Sequence, residues 1–246
     1  YAEKLDTATV QAALDLPETV SSIALGGSTR MGLSALLLGL DLATAGRRTL
    51  VCAGDVIIGA PGGSRESQGG DGAVAFLTGN DGEAIARSIG SASATIEILE
   101  VWRLPEDRFS KQWEERFTAD TMAPTIIDTA KRALKAANTE PSTLAAVILD
   151  GTNPRSMAGL PKALGLRPEQ VADPLAGSVG RTGVAHAGLL LARALDDAKP
   201  GDRILVVCEA DGVEALVVEV TNQIKDAPRS RKVDRWIASK RNDLPY

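Results

Sequence analysis

Blocks of apolar and polar positions follow one another along this chain in a way that predicts helices and strands by turns. Residues 7–15, TATVQAALD, place Thr7 ahead of a helix-forming apolar stretch that stops at Leu16-Pro17, as a short capped helix should. Residues 20–25 read as a strand. Gly26-Gly27-Ser28-Thr29-Arg30 is a tight connection into residues 31–45, a helix whose apolar positions run almost all round and which should be buried on most faces. Gly46 ends that helix, and TLVCAGDVIIG follows as a continuous apolar strand. APGGSRESQGG is a polar glycine-rich loop, and GDGAVAFLTGN is a strand entered through close-packed glycines.

The second part of the chain repeats this rhythm. IARSIGSASATIEILEVW reads as further strand, residues 122–137 as a long amphipathic helix, and LAAVILDG as another apolar strand. Residues 160–164 form a short helix and 183–195 a longer apolar one. RILVVCEADGVEALVVEV closes as a strand pair around Asp211-Gly212. Sliding the chain on itself by 155 positions lays Gly46 to Val51 over Gly201 to Val206, and Leu36 and Leu40 over Leu191 and Leu195. The expected architecture is α/β, with a duplicated strand, turn, buried helix and strand unit.

The organisation expected from these shifts is a first half over 1–100, a second over 101–221 and a basic tail or linker over 222–246. The tail holds seven basic residues (Lys225, Arg229, Arg231, Lys232, Arg235, Lys240, Arg241) against Asp226, Asp234 and Asp243. Its net charge of +4 leaves −9 for the rest of a chain whose total is −5. It reads either as a solvated docking arm or as a segment lying on a partner. The chain opens on Tyr1 in what looks like the approach to a helix already in mid-fold, so a fragment of a longer protein is expected.

With 246 residues, 44% of them hydrophobic, the chain has enough apolar material for a proper core, and disorder and disulfide scaffolds are excluded. The acidic balance argues against a nucleic-acid surface, and no run approaches a membrane span. Cys52 and Cys208 sit in apolar runs, where a cysteine usually packs as a small buried hydrophobe in a reducing compartment; a cytoplasmic protein is expected. His186 is the single histidine, which argues against most metal sites; no metal is expected, and acid–base chemistry falls on carboxylates, lysines or His186.

The order of five pieces resembles the thiolase superfamily, in its ketoacyl synthase III and hydroxymethylglutaryl-CoA synthase branch. They are IALGGSTRMGLSALLLGLDLATAG in the place of the nucleophile turn and its helix, GGDGAVAFLTG for the Gly-Asp-Gly-Ala strand, SKQWEERFTAD opening the second half, GTNPR for the His-x-Pro turn and SVGRTGVAHAG for the Gly-Asn-Thr turn. The resemblance covers nearly the whole chain and implies a thiolase-like α/β/α/β/α layered fold with duplicated halves, its first strands and helix missing before Tyr1. In that family a cysteine at a helix N-terminus is acylated, with His and Asn shaping the carbanion step and backbone N–H groups forming an oxyanion hole. Motif matching places Thr29 at the family's cysteine, Thr152 at its histidine and Arg181 at its asparagine, so the Cys-His-Asn triad is expected to be lacking.

Each of these positions has two readings. Thr29, or Ser28 beside it, is either a hydroxyl nucleophile or a cap on the buried helix. His186 is either catalytic or a packed, hydrogen-bonded histidine. Arg181 either holds a carboxylate, a CoA phosphate or an enolate oxygen, or pairs with Asp55, Asp71 or Asp150. Those aspartates, with Glu209 and Asp211, are also the carboxylate candidates for a base. The backbone N–H groups of Thr29 and Gly212 are the expected oxyanion donors. Arg65 and the loop around it are either a lid or partner contact or an ordinary surface loop.

Three functions follow from the resemblance, all in the setting of acyl-CoA and lipid metabolism. Retro-aldol cleavage beside a thioester needs an enolate site and a base but no covalent acyl-enzyme, with a coenzyme A thioester as substrate and no covalently bound cofactor. A catalytically silent subunit would scaffold a paralogue or a zinc-ribbon/OB-fold acyl-CoA-binding partner. A hydroxymethylglutaryl-CoA synthase-type acyltransferase needs a cysteine near Thr29. A homodimer is expected in each case.

Overall fold

The computed structural model describes residues 4–82, 84–227 and 232–241. Its centre is a four-stranded sheet in the order β3-β8-β7-β6, made of β3 (Ala86–Thr95), β6 (Ala146–Gly151), β7 (Arg203–Glu209) and β8 (Gly212–Val220). β6 and β7 are parallel, and the β7–β8 and β3–β8 pairs are antiparallel. Successive side chains of a strand point to opposite faces, and both faces here are apolar because both are covered. Ile204, Val206 and Cys208 of β7 face one layer while Leu205 and Val207 face the other.

The second of those layers is α4 (Glu115–Ala136), which lays Met122, Ile126, Ala130 and Ala133 on the sheet. The first is a helix pair, α2 (Met31–Thr44) and α7 (His186–Asp197), with Leu33, Leu36, Leu190 and Leu191 in its core. A two-stranded antiparallel sheet, β1 (Thr49–Asp55) with β2 (Gly72–Thr78), packs on the far side of that pair. The layers therefore run α4, four-stranded sheet, α2 with α7, β1 with β2. The offset of 155 residues seen in the sequence carries α2 and β1 onto α7 and β7 to within two residues. That repeat is a structural duplication: the two helices it relates lie side by side and back two different sheets.

Several local expectations change. Residues 20–25 form no regular element and pair with no strand among the described residues, and Val20, Ile23 and Leu25 are exposed. Their apolar residues suit a strand, but a strand also requires a neighbour to accept its hydrogen bonds. Thr7 lies inside α1 (Asp6–Ala13), whose N-cap is Leu5. The long helix α4 starts at Glu115, seven residues before the expected 122, because its first turns are polar, and the Glu115 carbonyl accepts from Asn153 Nδ2 at 2.6 Å. The glycine-rich loop contains a short helix, α3 (Ser64–Gln68). Cys52 is exposed on the outer face of β1, whereas Cys208 is buried in β7 as expected.

Part of the basic tail is docked. α8 (Val233–Ala238) sits against the acidic end of α7, with Arg193 to Asp234 at 2.8 Å, Lys232 to Asp197 at 2.7 Å and the Val233 N–H donating to Asp196 at 2.7 Å. Tyr1, Arg229, Arg231, Asp243 and Tyr246 lie outside the described residues. Among the described residues, no helix is long and apolar enough to cross a membrane.

Candidate functional site

The parallel strands β6 and β7 end side by side, and the segments that leave them enclose a cleft of about 190 Å³. Binding at the carboxyl edge of parallel strands is the usual consequence of such topology, because the chain must diverge there. Thr29, Thr152 and Arg181, more than 150 residues apart at the extremes, all line it. Thr29 comes from the turn before α2, Thr152 from the end of β6 and Arg181 from the segment before α7.

Backbone bonds fix this arrangement. The Thr152 N–H donates to the Glu209 carbonyl at 3.1 Å, locking β6 to β7 at the cleft floor. The Arg181 N–H donates to Gln68 O at 2.8 Å, and the Gly70 N–H returns to Arg181 O at 2.9 Å, so α3 is stitched to the segment that presents Arg181. The Arg181 side chain donates from Nη1 to the Thr152 carbonyl at 2.7 Å, leaving the rest of the guanidinium fork at the cleft. None of Asp55, Asp71 and Asp150 pairs with it. Asp55 instead accepts the N–H groups of Val56 and Val184, and Asp71 accepts that of Ile57. Neither hydroxyl of the Ser28-Thr29 pair caps α2, whose N-cap is Arg30; Ser28 Oγ donates to the Ala210 carbonyl at 3.4 Å.

His186 opens α7 beneath the cleft wall and does not line the cleft. It is 3% exposed, and its Nδ1 lies 3.4 Å from both the N–H and the hydroxyl of Thr182. Burial pulls its pKa down, with the Arg181 charge adding to that effect and Asp150 and a backbone bond at Pro174 opposing it. Gly212 begins β8 at φ +126°, where an added Cβ would lie 2.2 Å from the Ala94 carbonyl oxygen. It stands behind the cleft, and the β7–β8 turn contributes Ala210 and Asp211 to the lining.

Two carboxyls dominate the electrostatics of the floor. Glu209 is 0% exposed and Glu100, from the segment before β4 (Val101–Trp102), is 3% exposed. Glu209 Oε2 accepts from Ser156 Oγ at 2.8 Å. Burial, together with the adjoining Glu100 carboxyl, lifts Glu209 to about 9, against weaker opposition from Ser156 and Arg181. A native carboxyl above its unfolded value favours the folded state when protonated. That contribution is complete below about pH 4.5 and is lost as pH rises through about 9. The isosteric Glu209→Gln protein should therefore gain stability on wild type as pH rises from 5 to 8, by at most about 1.4 kcal/mol per pH unit. Urea midpoints of the two proteins that run parallel over that range would contradict this.

No protein-family model matches the chain. Among solved structures it superposes on 3-oxoacyl-(acyl carrier protein) synthase III from Pseudomonas aeruginosa with a TM-score of 0.74 at 20% identity, covering 87% of this chain and 71% of that one. It superposes on a hydroxymethylglutaryl-CoA synthase complexed with CoA with a TM-score of 0.77 at 17% identity, covering 96% and 65%. The fold is thiolase-like. In sequence, the chain is similar to the hydroxymethylglutaryl-CoA synthase of Methanopyrus kandleri, 26% identical over 92% of this chain and 66% of the relative. It is 30% identical to that of Picrophilus torridus over 73% of this chain and 53% of the relative. The chain thus spans between about half and two thirds of the length of these relatives.

Within the thiolase-like frame, the three motif-matched positions meet in one cleft. Neither cysteine lines it. Glu209 is one of several carboxylates that the sequence offers as candidates, and its partner Glu100 is not among them. The one signal that points to Glu100 is a carboxylate inside the otherwise apolar ILEVW run, where a strand would bury it.

Proposed function

We propose that this is an acyl-CoA-binding thiolase-fold protein that makes or breaks a carbon–carbon bond beside a thioester without a covalent cysteine intermediate, of retro-aldol lyase type. The observation that carries the reading is the composition of the cleft: Thr29, Thr152 and Arg181 converge there with a buried carboxyl pair, and no thiol lines it among the described residues. A guanidinium at the mouth suits an enolate or thioester oxygen, and carboxyls suit removal of a β-hydroxyl proton. One structural neighbour is complexed with CoA and another with 3-hydroxy-3-methylglutaryl coenzyme A, which supports a CoA thioester as ligand.

The names of the sequence relatives favour a second reading, a hydroxymethylglutaryl-CoA synthase-type acyltransferase. That chemistry needs a nucleophile at Thr29, and no base bonds to that hydroxyl among the described residues. A homodimer suits the outward face of β1 and β2, where Leu50 and Leu77 are exposed side by side across the pair. A zinc-ribbon/OB-fold protein is the further partner proposed.

The deciding experiment incubates the protein with a panel of β-hydroxyacyl-CoAs and ketoacyl-CoAs and follows short acyl-CoA products by mass. Cleavage is expected, with Thr29→Ala within about threefold of wild type, since a backbone N–H survives that change. Condensation that Thr29→Ala abolishes would establish the acyltransferase reading. Tight CoA binding with no turnover of any thioester would establish a silent scaffolding subunit.

A further inference from the structure

Glu100 and Glu209 are two acids packed against each other at the floor of the cleft, and their surroundings do not supply the hydrogen bonds that two anions would need. Both Glu100 carboxyl oxygens and Glu209 Oε1 are buried, with no donor from the rest of the described protein. The Ser156 hydroxyl satisfies only Glu209 Oε2. Two buried carboxylates without donors would each carry several kcal/mol of uncompensated desolvation and repel one another. A single proton held between them removes both costs, as in other closely spaced carboxyl pairs.

We propose that Glu100 and Glu209 share one proton, with Glu100 as the proton-transfer group of the cleft and Glu209 as the positioning residue that holds it. Glu100 is the member that forms part of the cleft lining. Glu209 lies behind it, clamped by Ser156 and by the approach of Gly151, where an added Cβ would stand 2.7 Å from Glu209 Oε2. Arg181 from the segment before α7 and Cys208 from β7 feel the charge of Glu209, and Asp150 from β6, Glu115 from α4 and Asp211 from the β7–β8 turn line the same cleft. Of these only Arg181 is a cation, and it is committed to the Thr152 carbonyl through Nη1. Arg65 of α3 also lines the cleft, but it donates to neither Glu100 oxygen.

This role rests on the reading of the cleft as a site for carbon–carbon chemistry beside a thioester. In the cleavage direction Glu100 accepts the β-hydroxyl proton, and the O–H electron pair forms the new carbonyl. The Cα–Cβ bond breaks, and its pair passes into the enolate of the shortened thioester. Glu100 then returns the proton to Cα. Proton and electrons balance with no oxidant, metal or second reactant, and the substrate class is a β-hydroxyacyl thioester.

Two measurements test it, one of them independent of substrate. Infrared difference spectra are expected to show a protonated-carboxyl C=O stretch at neutral pH in the wild type, lost in Glu209→Gln and shifted in frequency in Glu100→Gln, where burial still holds the proton on Glu209 but its partner acid is gone; its absence from the wild type, or an unmoved band in Glu100→Gln, overturns the shared proton. With thioester present, Glu100→Gln should lower turnover by about 10²- to 10⁴-fold at unchanged CoA affinity. Glu209→Gln should keep part of the activity that Glu209→Ala loses, because the amide still packs against the Glu100 carboxyl and can donate to it. Wild-type turnover in Glu100→Gln, or equal turnover in Glu209→Gln and Glu209→Ala, overturns the assignment of roles. If the wild type turns over no thioester, the reading of the cleft fails, while the infrared spectra still decide whether the proton is shared.

Discussion

Gly32→Ala is expected to destabilise the protein by about 3 kcal/mol or more, although it places the best helix former near the start of a helix. Gly32 is the second residue of α2, and a Cβ there would stand 1.8 Å from the carbonyl oxygen of Val184 and 2.9 Å from its carbonyl carbon. The obstacle is backbone, which no rotamer change can move aside. Val184 is itself held, its N–H donating to Asp55 Oδ2 at 3.2 Å. Ala in place of Gly gains about 0.8–1 kcal/mol of helix propensity, too little against a forced separation of two helix N-termini. Gly26, just before the same turn, has nothing within 4 Å of its added Cβ, so Gly26→Ala should stay within about 0.5 kcal/mol of wild type. Urea midpoints of the two variants measure the contrast; a wild-type midpoint for Gly32→Ala would mean that α2 and the turn before α7 do not meet this closely.

That contact also explains how the cleft is assembled. α2 and α7 are the helices related by the internal repeat, and their starts come together where Gly32 of α2 meets Val184, two residues before α7. Thr29 stands three residues before that point and Arg181 three residues before its partner. The backbone of the duplicated unit thus brings two of the candidate residues together before any side chain does.

The fold was legible in the sequence for a physical reason. β7 and β8 are apolar on both faces, α2 is apolar nearly all round, and glycines mark the ends, so element type and order follow from burial and backbone freedom. Residues 20–25 show the limit of that logic. Apolar content reports which residues resemble a strand, but pairing is a property of two segments, and no partner is in place for this one among the described residues. Cys52 repeats the lesson, because its apolar run lies in a two-stranded sheet with one face outward.

The candidate site was legible only where a backbone motif accompanied the residue. Thr29, Thr152 and Arg181 each sit in a turn with small neighbours, and all three line the cleft. His186 stood out by scarcity, yet it packs below the cleft, bonded to Thr182. Glu100 has only its place in the apolar ILEVW run to mark it as buried, and nothing in that run says what it is buried against. Its position emerges only when the chain before β4 folds over the end of β7, 109 residues further on, and brings it against Glu209.

Arg181→Ala should have the largest effect on the chemistry of the cleft with little effect on the fold. The backbone bonds that stitch this residue to Gln68 and Gly70 do not depend on its side chain. The loss is one hydrogen bond to the Thr152 carbonyl, worth about 1 kcal/mol. Turnover of a thioester should nevertheless fall by about 10²- to 10³-fold, the usual consequence of removing a cationic or oxyanion donor from a developing negative charge. A second readout needs no substrate. The Arg181 charge pushes His186 down and also lowers Glu209, so its removal should raise both. His186 is the only histidine in the chain, and a single imidazole resonance therefore reports the shift during a pH titration. An upward move of that titration with turnover lost would tie the guanidinium to both the field and the chemistry of the cleft. An upward move with turnover intact would leave Arg181 as a fixed charge that tunes its neighbours and never meets the substrate.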